Sequence, residues 1–195
     1  MCIRDSYATG DYAKYDDGGT TVPKSQDVKF DSKAFYLLAN IDFAPAYAGF
    51  LFAYGSGDDP DTTDKLEGGL FATQSLNSSW NAALMMQSYE YRAQVGYRQG
   101  NAGAAYRTGE FTDNIWFYQI YAGVKPMKEL DVKLALSYAY ADKKPKVGGL
   151  EFVSDKYGTE LDLTATYKIY NNLSYMVGFG YLWTGDYYKG TDNSI

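Results

Sequence analysis

From Leu130 to Ala141 the chain alternates without a break: Leu130, Val132, Leu134, Leu136, Tyr138 and Tyr140 take turns with Asp131, Lys133, Ala135, Ser137, Ala139 and Ala141. Successive side chains of a β-strand point to opposite faces, so this segment has one apolar wall and one polar wall. The pattern returns where Leu161, Leu163, Ala165, Tyr167 and Ile169 oppose Glu160, Asp162, Thr164, Thr166 and Lys168. After Asn171-Asn172, Leu173, Tyr175, Val177, Phe179, Tyr181 and Trp183 oppose Ser174, Met176, Gly178, Gly180, Leu182 and Thr184. Earlier apolar rows run through Phe35, Leu37, Ala39, Ile41 and Phe43, then Ala48, Phe50, Phe52 and Tyr54. Tyr89, Tyr91, Ala93, Val95 and Tyr97 oppose Glu90, Arg92, Gln94, Gly96 and Arg98; Trp116, Tyr118, Ile120, Ala122 and Val124 form a further row. The Ala/Gly-rich stretch 102–110 and the end of a strand within 7–15 complete eight or nine predicted strands. Helical periodicity is weak, and no run of about eighteen apolar residues offers a membrane-spanning helix.

The seven apolar rows hold 36 residues and no charge, where the chain's 22% charged content would place about eight. Each row involves only a choice between two faces, so the deficit is real. A charge facing lipid near mid-membrane costs about 2–4 kcal/mol, which empties such rows of charge. The connections sort as well. Ala44-Pro45-Ala46, Gln99-Gly100-Asn101, Lys125 to Glu129 and Tyr170 to Asn172 are short, whereas 16–30, 56–86 and 143–157 are long and polar; the link near 110–114 departs from this order. Outer-membrane barrels have short turns at one end and long loops at the other. Rings gather at both strand ends: Phe43, Tyr47, Tyr97, Tyr167 and Tyr170 near the short turns, and Trp116, Tyr118, Tyr138, Tyr140, Tyr181 and Trp183 near the long loops. Two levels of rings match the girdles of a barrel at the two membrane interfaces. The expected fold is all-β: an antiparallel up-and-down transmembrane β-barrel, incomplete, with eight or nine strands of a larger one.

Composition agrees and narrows the chemistry. Of 195 residues 17% are aromatic, with 21 Tyr against 10 Phe and 3 Trp, beside 20 Gly and 5 Pro. The formal charge of −6 argues against nucleic acid as a partner. Histidine is absent, so no Ser-His-Asp triad, His-metal centre or C-x-x-C-H haem attachment can be written from this chain. Neither an enzyme activity nor a cofactor is expected. The opening Met1-Cys2-Ile3-Arg4-Asp5-Ser6 reads as the translation of a transposase adapter used in sequencing-library preparation. Residues 1–6 are therefore expected to be a scar, set apart from the fold with Cys2, the sole cysteine. Residues 7–195 are expected to form part of a barrel that continues past an upward final strand, since single-chain bacterial barrels have an even strand number.

The stretch Gly158-Thr-Glu-Leu-Asp-Leu-Thr-Ala-Thr-Tyr-Lys-Ile-Tyr-Asn-Asn-Leu-Ser-Tyr, and on to Gly185-Asp186, resembles the late hairpin of alginate-export-type outer-membrane porins. The shared features are a Glu-x-Asp-Leu strand, a short turn with Asn-Leu-Ser, and an upward strand ending in aromatic residues and Gly-Asp. The likeness covers about thirty residues closely and the rest in pattern. It implies a large monomeric porin-like barrel with a polar lumen, seen here near its C-terminal part, in a bacterial outer membrane.

The candidate pore-lining residues are Glu90, Arg92, Gln94, Arg98, Asp131, Lys133, Glu160, Asp162 and Lys168. Acidic and basic groups facing one another across a lumen set a transverse field and tune ion preference; alternatively they keep a solvated wall wet through cross-strand pairs. Four are acidic and four basic, unlike the cationic lumen a polyuronate exporter needs, so alginate is not the expected solute. Asp58, Asp59, Asp61 and Asp64 cluster as hard oxygen ligands that could hold calcium, but Pro60 and the spacing fit no EF-hand, and a solvated loop is the plainer expectation. Leu66 to Met86, with Leu70, Phe71, Trp80, Leu84, Met85 and Met86, is too apolar for a free loop: it folds inward as a constriction or packs on the rim. Asp142-Lys143-Lys144-Pro145-Lys146 is a solvated run or a contact for anionic lipopolysaccharide. The expected function is passive diffusion of ions and small hydrophilic solutes through a channel in membrane lipid, with the oligomeric state open. The alternatives are a barrel sheath around a partner protein and a soluble β-barrel with a ligand inside; alternation alone cannot tell inside from outside, whereas girdles and sorted loops favour lipid.

Overall fold

A computed structural model describes residues 2–13, 27–68, 82–86 and 114–192. They form strands β1 (Cys2–Ala13), β2 (Val28–Phe43), β3 (Ala46–Gly55), β4 (Lys65–Leu66), β5 (Ile115–Met127), β6 (Leu130–Tyr140), β7 (Lys146–Val147), β8 (Leu150–Glu151), β9 (Lys156–Tyr170) and β10 (Leu173–Thr184), then a single 3-10 turn at Asp186–Lys189. The fold is all-β and mostly one antiparallel sheet in the order β1-β2-β3-β5-β6-β9-β10, with β4 parallel to the start of β2 and β7-β8 a separate small hairpin. Among the described residues the sheet is open, β1 and β10 each pairing on one side only.

Register decides which residues share a face. Ile41, Ala48, Ala122, Leu134, Leu163 and Phe179 are successive cross-strand partners from β2 to β10. One step toward the long loops, so are Ala39, Phe50, Ile120, Leu136, Leu161 and Tyr181. Six apolar rows read from the sequence therefore merge into a single apolar face. Its residues stay open to the surroundings: Leu134 is 50% exposed, Leu163 46% and Val177 55%, while Phe50 is half-buried between neighbouring strands. At its upper edge the rings of Phe35, Phe52, Tyr54, Trp116, Tyr118 and Tyr140 form a belt, with centroids 4.3 Å apart for Tyr54–Trp116 and 6.1 Å for the stacked Trp116–Tyr140 pair.

The connections sort by end. Turns at 44–45, 128–129 and 171–172 lie at one end of the sheet, and the strand ends that lead into 14–27, 56–114 and 141–155 lie at the other. Two sequence expectations change here. The expected strands at 89–97 and 102–110 and the turn at 99–101 lie outside the described residues, but β3 and β5, which they would separate, pair directly over ten positions. A hairpin between two strands of a meander does not alter the polarity of its flanks, so β3 and β5 are antiparallel as expected. The strands also outrun the apolar rows: β2 begins at Val28 and β9 at Lys156, inside the expected loops. Beyond Phe35 the outward positions of β2 are Lys29, Asp31 and Lys33, so pairing continues where apolar alternation stops. In β1 the outward partner of Phe35 is Asp5. Cys2 to Ser6 pair with Leu38 to Ala34 through backbone groups, which is independent of the origin of those residues.

The packed core lies on the opposite, concave face at the long-loop end. There Phe117, Ile115, Ala53 and Ala139 from the strands meet Phe152 from 141–155, Tyr157 of β9, Tyr187 of the 3-10 turn and Met86. Tyr187 lies against Tyr157 and Phe152, with ring centroids at 4.4 and 5.1 Å. Each large side chain removed from water there contributes about 1.5–3 kcal/mol. Loops thus cover one end of the concave face and leave the convex apolar face bare.

Candidate functional site

Odd positions of β6 and even positions of β9 share the concave face, because Lys133 pairs with Thr164 and Ala135 with Asp162. Asp131, Lys133, Glu160, Asp162 and Lys168 accordingly all stand on it, as alternation requires. Their surroundings differ. Lys168 is exposed, Asp131 and Lys133 are half-buried, and Glu160 and Asp162 are 0% and 3% exposed. The segment 82–86 lies over the last two. Glu90, Arg92, Gln94 and Arg98 lie outside the described residues.

Three consecutive backbone N–H groups of that segment turn toward the two carboxylates. Met85 N and Met86 N donate to Glu160 Oε1 and Oε2 at 2.6 and 2.7 Å, and Leu84 N donates to Asp162 Oδ2 at 3.1 Å. Three backbone donors are thereby satisfied at once, which fixes the segment on β9. Gln119 of β5 donates to the carbonyl of Ala82 and, at 2.9 Å, to Ser137 Oγ. The side chain of Leu84 then seats on β10 where two concave-facing residues lack a Cβ. A Cβ at Gly178 would come within 2.9 Å of Leu84 Cδ1, and one at Gly180 within 2.8 Å of Asp162 Oδ1 and 3.3 Å of Leu84 Cβ. Of the two placements open for the stretch Leu66 to Met86, residues 82–86 take the inward one; 69–81 lie outside the described residues.

Beneath the segment remains a hollow of about 210 Å³, bordered by Tyr47, Asp131, Lys133, Asp162, Thr164 and Met176 among others. Tyr47 corrects another expectation. It is not part of the ring level near the short turns, because its odd position in β3 points inward, where its hydroxyl donates to Asp131 Oδ1 at 2.7 Å. Lys125 Nζ lies 3.8 Å from Asp131 Oδ2, and Lys133 Nζ lies 5.6 Å from the centre of the Tyr121 ring. Sequence reasoning missed Tyr47, Gln119 and Ser137, all on concave positions of their strands; parity carried through β3 and β5 would have placed them.

The acidic cluster at the long-loop end is largely engaged within the protein. Asp59 pairs with Lys143 at 2.9 Å and Asp61 with Lys146, while Asp58 Oδ1 accepts Glu67 N at 2.9 Å and Asp64 offers its backbone carbonyl to Lys29 N at 2.9 Å. Among the described residues no three His, Cys, Asp or Glu side chains converge as a metal site. Two of the lysines expected to be solvated or to meet lipopolysaccharide instead tie 141–155 to 56–68. The hydrogen bond from Lys143 holds the Asp59 carboxyl below its ordinary range, and the same contact raises Lys143; Asp61 raises Lys146 likewise. Asp142 strengthens the junction, accepting from Trp116 Nε1 at 2.8 Å and Gly57 N at 3.1 Å. Neither a protein-family model nor a curated protein sequence matches this chain.

Proposed function

We propose that this chain forms part of an outer-membrane β-barrel of the porin kind, a channel for passive diffusion of ions and small hydrophilic solutes. The observation that carries it is the bare apolar face, continuous through β2, β3, β5, β6, β9 and β10 and bounded by a ring belt. Contiguous apolar patches larger than a few hundred Å² are rare on soluble monomers and mark contact with lipid or a partner. Lipid suits this face best, because between the ring belt and the short turns it carries no charge on any of the six strands, while the other face carries carboxylates, lysines and hydroxyls. A soluble barrel with a ligand inside would turn those same rows into its core; here the concave face holds the polar hollow instead. In this assignment the short turns face the periplasm, the long connections face outward, and 82–86 narrows the lumen. The deciding experiment is reconstitution in a planar bilayer. Discrete conductance steps that need the folded chain support a channel, and a membrane-inserted chain that never conducts returns the argument to a sheath around a partner.

A further inference from the structure

On the premise that this chain lines a channel, we propose that the hollow under 82–86 is a binding subsite for a small zwitterion of amino-acid size, carrying one ammonium and one carboxylate. Size comes first. About 210 Å³ is smaller than the roughly 300–1,000 Å³ of sites for drug-sized ligands, and it suits a solute of a few heavy atoms. Charge comes next. Three acidic or basic side chains border the hollow: Asp131, Lys133 and Asp162. Asp131 is already engaged, by the Tyr47 hydroxyl at 2.7 Å and by Lys125 at 3.8 Å. Asp162 spends Oδ2 on Leu84 N, and its buried Oδ1 receives no N–H donor, with only the neighbouring Glu160 carboxyl beside it. A buried carboxylate oxygen in that state costs free energy that a cationic donor offsets.

A bare cation would meet Lys133 on the adjoining strand, and a bare anion would meet Asp162. Register makes the two diagonal neighbours on one face, since Lys133 pairs with Thr164 and Asp162 with Ala135. Such neighbours stand about 7–8 Å apart at the backbone, close enough for one short solute to touch both side chains. Its ammonium goes to Asp162 and its carboxylate to Lys133, with the Thr164 and Thr166 hydroxyls beside them and Met176, Ala135 and Leu84 against its carbon atoms. An uncharged polyol would leave Asp162 and Lys133 with only each other as counter-ions across the hollow.

The test is equilibrium binding to the whole chain, folded in detergent micelles, of four labelled probes: alanine, ethylamine, propionate and glucose. Alanine is expected to bind best, with glucose at background. Asp162→Asn, which keeps an acceptor for Leu84 N, should weaken alanine by roughly tenfold or more and shift preference toward propionate. Lys133→Met, at a half-buried position, should shift it toward ethylamine. Glucose binding as well as alanine, or preferences unmoved in both variants, would overturn the subsite. Binding in micelles needs no conduction, so a chain that conducts but binds no zwitterion removes the subsite alone, and one that binds alanine but never inserts into bilayers removes the channel alone.

Discussion

Replacing Leu163 with arginine separates a lipid-facing sheet from any water-facing one. Leu163 is the middle residue of β9, seven positions from either end, and pairs across its strand edges with Leu134 and Phe179 on the bare apolar face. At about 3.3 Å per residue and a tilt of about 40°, seven positions place it roughly 18 Å from each strand end, inside an apolar band about 25 Å tall. Arginine there should cost about 2–4 kcal/mol, roughly a 30- to 900-fold loss in the folding equilibrium. Ile169 shares the face but lies six positions nearer the short turns, about 15 Å from mid-membrane, so Ile169→Arg should cost only about 0–1 kcal/mol. Ser174→Arg, on the concave face and exposed, should stay within about 0.5 kcal/mol of wild type. The assay is reversible guanidinium unfolding from phosphatidylcholine vesicles, followed by tryptophan fluorescence. Equal costs at Leu163 and Ile169, or a Leu163→Arg cost no larger than that of Ser174→Arg, would refute the lipid assignment.

Gly180→Val puts a branched side chain where a single Cβ already meets Asp162 and Leu84, so 82–86 should be displaced and single-channel conductance should rise; an unchanged conductance would mean that the segment does not narrow the path. Glu160→Gln replaces one of the two oxygens that accept from Met85 N and Met86 N with a donor amide and should weaken docking by about 1–3 kcal/mol, read as lower amide protection at Met85 and Met86. The Asp59–Lys143 tie should depend on pH at both ends. Asp59 is depressed in the fold, so its contribution is complete above the unfolded carboxyl value near 4 and fades as pH falls through the lower folded value. Lys143 is raised, so its contribution is complete below its unfolded value near 10.4 and fades above it; amide protection factors across 141–155, normalised to the intrinsic exchange rate at each pH, should therefore be flat between about pH 5 and 9 and fall near about pH 3.

The apolar face was legible in the sequence because a sheet with one apolar side imposes a period of two on every strand, and six rows each carry it independently. The sorted turns were legible for a similar reason: Pro45, Lys128-Glu129 and Asn171-Asn172 leave no room for anything but tight reversals. The ends of β2 and β9 were not, since Lys29, Asp31 and Lys33 continue the ladder by backbone pairing after the apolar face has stopped. The seating of 82–86 was half legible. Leu84, Met85 and Met86 stood out as too apolar for a free loop, but their partners lie some seventy to ninety positions away and the bonds come from backbone N–H groups, which carry no residue signature. Gly178 and Gly180 were visible as a gap in the polar row of β10, and only Leu84 gives that gap a purpose. The cover over Glu160 and Asp162 was not legible, because alternation reports direction and not what lies above.

The most direct test is a scan of single cysteines carrying nitroxide labels from Leu173 to Thr184 in a Cys2→Ser background, with the chain in lipid vesicles. Oxygen, which concentrates in lipid, and a water-soluble nickel chelate are used as competing relaxation agents. A lipid-facing strand predicts an oscillation of period two: Tyr175, Val177, Phe179 and Tyr181 favour oxygen, while Ser174, Met176 and Thr184 favour the chelate. Equal access at odd and even positions, or chelate preference at Val177 and Phe179, would contradict the account.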